Sequence, residues 1–302
     1  MSPNASSGSH VWWTSLKHGG LLIAPSHLVQ YFPADVPPLH GYLEERLRRD
    51  VMRSEDGRAE SMTKLLDTVL EHVLGFEDDP SGGPGRGRWL KGSSMPSELS
   101  VRTMTGTAAK PRRFWKGPYR SVLPVFVHPD SEVRLGIGRG RRATSEVVEW
   151  LRTTGHRIAL LTNGRQWRLV YAGLDYDAFV EWDTALWFEE GKAGLQVGAL
   201  MALLGRQALV PRVEGDEPPL LAAIAASRRG QAELSAALGE RVRQAVERLV
   251  REYAQALDDL DLDVNSSDIY HAAIRVVMRM VIVLFAEARD LLPRDNPIYH
   301  QS

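Results

Sequence analysis

The fold is decided by fourteen residues, 158–171, which read IALLTNGRQWRLVY. The first five are apolar or β-branched and predict a buried strand. Asn163 and Gly164 form a strong hairpin signal, because both central positions of a type I′ turn need a positive φ. Residues 166–171 then return with alternating faces, so the stretch predicts an antiparallel hairpin.

Regular elements are predicted on both sides of this hairpin. They are a helix over 61–74 that ends at Gly75, a strand over 121–128, a short helix over 144–151, a strand over 178–182 and a helix over 192–204. Pro124 lies inside the first of these strands and is predicted to mark an edge or a bulge. The order of elements indicates a compact α/β domain over residues 61–205.

The two ends of the chain differ from this middle part. Residues 1–60 are rich in Pro, His and aromatic residues, and they predict an irregular segment with a short helix over 41–52. The pair Trp12-Trp13 covers the domain or docks a partner, and both alternatives stay open. The chain carries helical periodicity from about residue 220 onward, and residues 206–302 are predicted to form an all-α part.

Composition narrows the function classes. The 302 residues are enough for two domains with a core each. The absence of cysteine excludes disulfides, thiolate zinc sites and cysteine nucleophiles, and it fits a cytoplasmic protein. The longest apolar stretch, 274–286, is interrupted by Arg275 and Arg279 and is too short to span a bilayer. No membrane partner is therefore expected.

The charge is concentrated in the middle of the chain. Residues 102–168 contain fourteen Lys and Arg and only four Asp and Glu, although the whole chain has a formal net charge of −1. A basic segment of this kind is typical of proteins that bind a phosphate backbone. The alternative is a set of solvated arginines that pair with acids elsewhere.

The final helix is predicted to connect to a further domain. It ends with residues 284–293, LFAEARDLLP, and a turn rich in Pro and Asp follows. Its apolar residues between 272 and 292 point in nearly every direction, so the helix must be surrounded. We expect a further domain that this chain does not contain.

These residues resemble a known family. The stretches 160–169 (LLTNGRQWRL) and 284–293 together resemble the N-terminal region of large adenine-specific DNA methyltransferases, namely type IIG-like restriction–modification enzymes and the related methyltransferases of phage-defence islands such as DISARM. The stretches 136–142 (GIGRGRR), 181–183 (EWD) and 187–191 (WFEEG) are also similar to what such proteins carry.

The resemblance covers roughly residues 60–302 and implies an architecture. Residues 61–205 would form a nuclease-like domain, a degenerate PD-(D/E)xK mixed sheet with flanking helices. Residues 206–302 would form a helical connector to an absent methyltransferase domain. S-adenosylmethionine is expected in that absent domain, and no cofactor is expected in this segment. The implied partners are double-stranded DNA and subunits of a defence complex.

An active nuclease of this type needs an acid on one strand and an acid-x-Lys on the next, so that carboxylates hold Mg²⁺ beside the lysine. Residues 125–134 contain no acid-x-Lys. Asp130 and Glu132 are the weak candidates for a metal-binding pair, with Arg134 as a poor substitute for the lysine. We expect that cleavage has been lost and that the segment alone is not catalytic.

The predicted DNA-binding residues are arginines. Residues 136–140 resemble a phosphate loop but lack its lysine, so the flanking arginines fit a sugar-phosphate backbone better. The expected DNA contacts are Arg139, Arg141, Arg142, Arg165 and Arg168. Two competing hypotheses are a Mg²⁺-dependent nuclease that uses Asp130 and Glu132, and a protein-interaction scaffold built on residues 1–60 and the helical connector.

Overall fold

The computed structural model describes residues 10–79, 86–189, 191–259 and 265–288. The chain divides into two compact units, Met1–Ser227 and Arg228–Ser302. No helix within the described ranges is long and apolar enough to cross a membrane.

The first unit contains the strands and most of the helices. The strands are β1 (Lys17–Gly19), β2 (Arg88–Lys91), β3 (Val101–Arg102), β4 (Ala108–Ala109), β5 (Arg113–Lys116), β6 (Val122–Val127), β7 (Ile158–Thr162), β8 (Gln166–Ala172), β9 (Asp177–Asp183), β10 (Phe188–Glu189) and β11 (Lys192–Ala193). The α-helices are α1 (Val11–Thr14), α2 (Pro25–Tyr31), α3 (Gly41–Ser54), α4 (Ala59–Asp67), α5 (Arg139–Thr154), α6 (Leu195–Leu204), α7 (Arg206–Leu209), α8 (Pro219–Asp259) and α9 (Ser266–Ala288). A π-helical stretch, Thr68–Val73, continues α4.

The central sheet has the strand order β1-β9-β8-β7-β6-β5-β2. β6 and β7 are parallel, and the other neighbouring pairs are antiparallel. The parallel pair requires a crossover connection, which α5 supplies. Val125 lies opposite Leu160 in this pair, and Thr162 lies opposite Trp167 in the following hairpin.

Helices cover both faces of the sheet. Strand residues alternate between the faces, so Leu160 and Trp167 pack into the larger core with α3, α4 and α6. Leu161 and Val170 pack on the opposite face, against α5. This arrangement confirms a mixed sheet with flanking helices followed by a helical region. Its kinship with nucleases stays a prediction.

Several predicted elements are confirmed with small changes in their bounds. The strands predicted over 121–128, 158–162 and 178–182 correspond to β6, β7 and β9. The helix predicted over 144–151 is longer in the structure, because α5 begins at Arg139. Its first turn was missed since it carries arginines and glycine rather than apolar residues.

The prediction of an irregular segment over residues 1–60 is corrected. β1 forms one edge of the central sheet and pairs with β9. Trp12 and Trp13 are buried in the larger core, and the Trp12 indole N–H donates to the carbonyl oxygens of Pro33 and Ala34. The tryptophan pair therefore covers the domain, as the first of the two alternatives stated.

The expected role of Pro124 is also corrected. β6 lies between β5 and β7, so it is a central strand rather than an edge. Its register with β5 is continuous, from Arg113 opposite Val125 to Lys116 opposite Val122, so Pro124 does not mark a bulge.

The start of α8 belongs to the first unit. Leu220, Ala223 and Ile224 at the start of α8 are buried in the larger core, and the first unit extends to Ser227. In the second unit, α8 and α9 share a small core of Val246, Ala273 and Val277.

Candidate nucleic-acid interface

β6 and β7 end side by side at one edge of the sheet, which we call the carboxyl edge. It consists of the loop 128–138, which leads from β6 to α5, and the turn 163–165, which leads from β7 to β8. Ligands of open α/β sheets bind outside the carboxyl ends of parallel strands. The carboxyl edge is therefore the part of the fold in which a binding site is expected.

Asn163 holds the loop 128–138 in place. Its side chain is buried, and Nδ2 donates to the carbonyl oxygens of Ser131 (3.2 Å) and Val133 (2.8 Å). Its Oδ1 accepts from the backbone N–H of Gln166 at 2.6 Å. The turn therefore depends on the asparagine side chain.

The hairpin is confirmed, but its predicted turn type is wrong. Gly164 has a φ of +90°, whereas Asn163 is not among the residues of positive φ. A type I′ turn needs a positive φ at both positions. The asparagine is required here for its side-chain hydrogen bonds.

Arg168 does not contribute to a DNA-binding surface, which corrects the prediction. It is 1% exposed and forms a buried ion pair with Glu181 through Nε (2.8 Å) and Nη2. Nη2 also donates to the Leu135 carbonyl oxygen (2.8 Å) and Nη1 to the Thr144 hydroxyl (3.1 Å). The guanidinium lies 3.9 Å from the Phe179 ring centroid. This arginine anchors both the loop and α5 to the sheet.

Close packing explains two of the three glycines of residues 136–140, Gly136 and Gly140. A Cβ on Gly136 would lie 2.8 Å from Nη2 of Arg168, and a Cβ on Gly140 would lie 2.1 Å from the carbonyl oxygen of Arg134. Gly136 also has a φ of +95°. These contacts account for the two glycines without a phosphate cradle.

The first turn of α5 carries three exposed arginines, Arg139, Arg141 and Arg142. Within the described residues, their side chains have no ion pair or hydrogen bond. The turn contains no acidic residue, and Gly138 offers no side-chain cap. Because cations near a helix N-terminus are destabilising by about 0.3–1 kcal/mol each, these arginines do not serve the stability of α5. An anion bound at this turn would make the three arginines favourable for the stability of α5.

Two cavities open at the carboxyl edge, and Ser131 lines both. The larger cavity, of about 490 Å³, is lined by Lys17 and Arg165 among others. The smaller cavity, of about 270 Å³, is lined by Arg58 and Arg112 among others. We call the cations that line these cavities, together with those of the first turn of α5, the basic edge: Lys17, Arg58, Arg112, Arg134, Arg139, Arg141, Arg142 and Arg165.

Sequence reasoning missed half of the basic edge. Lys17 and Arg58 lie in the segment that was predicted to be irregular, and only the sheet topology brings them to the same edge as α5. Arg165 was predicted and is exposed, 3.9 Å from the Glu132 carboxylate. Exposed pairs of this kind contribute little to stability, so Arg165 is available to an anion.

The weak nuclease candidates lie in a loop rather than on a strand. β6 ends at Val127, and the Asp130 carboxylate accepts the backbone N–H of Glu132 at 3.0 Å. β5 and β6 carry no Asp or Glu. Glu181, which lines the larger cavity, is engaged by Arg168 and by the Gln166 side chain. Among the described residues, no group of three His, Asp or Glu is placed to hold a metal ion.

No protein-family model matches the chain, and no curated protein or solved structure matches it. The resemblance to adenine-specific methyltransferases therefore rests on the sequence motifs alone. One of them, residues 284–293, lies outside the described residues beyond Ala288.

Proposed function

We propose that the basic edge binds the sugar-phosphate backbone of double-stranded DNA. The observation that carries the proposal is the first turn of α5. Arg139, Arg141 and Arg142 are exposed there and have no partners in the described residues. They lie at the N-terminal end of the helix, where cations destabilise it. Lys and Arg contacts to phosphates supply the sequence-independent part of DNA affinity.

The arrangement fits a role in DNA engagement and domain positioning rather than in catalysis. The loop 128–138 is fixed to the sheet by Asn163 and by the buried Arg168–Glu181 pair, so the arginines of α5 start from a rigid support. Preorganised cations lose less entropy on binding. In this proposal, the chain is the DNA-engaging region of a restriction–modification or phage-defence adenine methyltransferase.

The proposal is tested by fluorescence anisotropy with a labelled duplex. Replacing Arg139, Arg141 and Arg142 by Ala is expected to weaken binding at least tenfold at low salt, since the variant lacks three cations that bind phosphates. A matched control replaces three exposed arginines of α8, Arg241, Arg248 and Arg251. Equally weakened binding in the two variants would show that net charge, rather than this surface, determines binding.

The competing functions have separate tests. Incubation of the chain with plasmid DNA and Mg²⁺ or Mn²⁺ tests the nuclease, and cleavage abolished by Asp130→Ala would establish it. The scaffold hypothesis expects partners that depend on residues 1–60. Trp12 and Trp13 are buried and do not offer a surface to such partners, whereas Tyr42 is exposed.

A further inference from the structure

The smaller cavity of the carboxyl edge has an unusual lining. It is lined by Arg58, Arg112 and His128, and among its described lining residues none is Asp or Glu. Met62 and Leu66 form part of its apolar wall. A concave site with apolar walls and a few convergent polar groups is typical of a small-ligand pocket, and here the polar groups are cationic or neutral.

The cavity has spare hydrogen-bond donors. The Arg112 side chain is exposed and has no ion pair or hydrogen bond in the described part of the chain. Arg58 has one loose ion pair there, with Nε 3.7 Å from the Asp56 carboxylate, and its side chain is 81% exposed. His128 uses Nδ1 near the backbone of Asp130, which leaves Nε2.

Three other polar side chains of the lining are already hydrogen-bonded within the fold. The Thr63 hydroxyl donates to the Ala59 carbonyl oxygen (2.8 Å), and the Ser54 hydroxyl donates to the Val51 carbonyl oxygen (2.7 Å). Asn163 is held in its turn. Unused hydrogen-bonding capacity therefore belongs to the two guanidinium groups, one imidazole nitrogen and the Ser131 hydroxyl, which together favour a compact anion.

Size and position indicate which anion. A phosphomonoester carries a charge of about −1.5 to −2 and three acceptor oxygens, which suit two guanidinium groups. A phosphodiester of a continuous duplex is flanked by its neighbours along a convex backbone, so it fills a concavity of about 270 Å³ less completely than a terminal phosphate does. A phosphate at a strand end can enter it, and Ser131 places this cavity next to the larger one on the basic edge.

We infer that the cavity of Arg58, Arg112 and His128 receives the terminal phosphate of a DNA strand end. The inference rests on the proposed DNA-binding function. It assigns the cavity a preference for ends, in addition to the backbone binding by α5.

The test compares binding of four probes to the full chain: a duplex with 5′-phosphate ends, one with 3′-phosphate ends, one with hydroxyl ends, and a dumbbell duplex closed by hairpin loops at both ends. We expect one phosphorylated duplex to bind about tenfold tighter than the hydroxyl duplex, since new hydrogen bonds to a charged group form. The arm that shows the preference identifies the end that is bound.

Arg112→Ala is expected to abolish this preference, since it removes one of the two guanidinium groups that line the cavity, while Arg102→Ala, which removes an exposed arginine outside the cavity, keeps the preference. Equal binding of phosphorylated and hydroxyl ends, or a preference that survives Arg112→Ala, overturns the inference. Absence of salt-sensitive binding to the dumbbell overturns the proposed function instead, so the two failures are distinguishable.

Discussion

Glu181→Gln is the most informative single perturbation of the fold. Glu181 and Arg168 are 3% and 1% exposed, and Arg168 links the sheet to Leu135 and to Thr144 of α5. Glutamine has nearly the same shape but no charge, so the substitution leaves a buried guanidinium without a counterion. Removing one partner of a buried pair typically costs about 3–5 kcal/mol.

The expected destabilisation lies near the lower end of that range. Glutamine keeps one oxygen that can accept from Arg168, and the ion pair between Lys17 and Glu181, at 3.4 Å, is largely exposed on the lysine side and adds little. We therefore expect the free energy of unfolding to fall by about 3 kcal/mol. Urea denaturation followed by tryptophan fluorescence measures it, because Trp167 and Trp182 are buried on the two strands that carry the pair.

A double variant separates charge from packing. Arg168→Met with Glu181→Leu removes both charges and is expected to cost less than Glu181→Gln alone, since no unpaired charge remains. A destabilisation below about 1 kcal/mol for Glu181→Gln, or a larger one for the double variant, would refute the view that this buried pair holds the carboxyl edge.

Three further predictions concern the stability of the fold. Asn163→Ala removes two hydrogen bonds to the loop 128–138 and is expected to lower the free energy of unfolding by about 1–3 kcal/mol, measured by urea denaturation; an unchanged midpoint would contradict it. Gly140→Ala places a methyl group against the Arg134 carbonyl oxygen and is expected to lower the free energy of unfolding by about 1–3 kcal/mol. Gly239→Ala, in open space on α8, is expected to raise it by up to about 1 kcal/mol. Thermal denaturation of both variants distinguishes the steric cost at Gly140 from the helix propensity of alanine. Burial lowers the pKa of His156, so the neutral ring is favoured in the fold. The contribution of the neutral ring to the free energy of unfolding is complete above about pH 6.5, and it is lost as the pH falls toward the lower pKa of the folded state. His156→Phe should reduce that acid sensitivity, and an NMR titration that gives His156 a pKa above 6.5 would contradict the assignment.

The predictable part of the fold is the part encoded locally. The hairpin of β7 and β8 and the strand β6 follow from apolar runs and from one Asn-Gly pair. β1 was not predictable in this way, because three residues, Lys17–Gly19, carry no periodicity and pair with β9 far along the chain. A short edge strand is defined by its partner rather than by its own sequence.

The error over Arg168 has a physical reason. Alternation along β8 places Arg168 on the opposite face from Trp167, which suggests solvent if one face of the sheet is open. A sheet covered on both faces buries both sets of side chains, and a buried arginine then needs a carboxylate, here Glu181 on β9. The sequence did indicate a sheet covered on both faces, because a helix is predicted on each side of the hairpin and each helix needs a face of the sheet to cover.

The candidate site was predicted in part. The arginines at 139–142 form a local run, and the structure leaves them exposed. Lys17, Arg58 and Arg112 join them only through topology, and no local pattern distinguishes them from other surface cations.

The central claim is that the basic edge binds phosphates, and the salt dependence of duplex binding tests it most directly. The slope of log Kobs against log salt concentration is about −0.9 for each phosphate contact. Replacing Arg139, Arg141 and Arg142 by Ala should therefore reduce the magnitude of the slope by about 2.7. A wild-type chain whose binding does not weaken with salt, or a variant with an unchanged slope, would contradict the account.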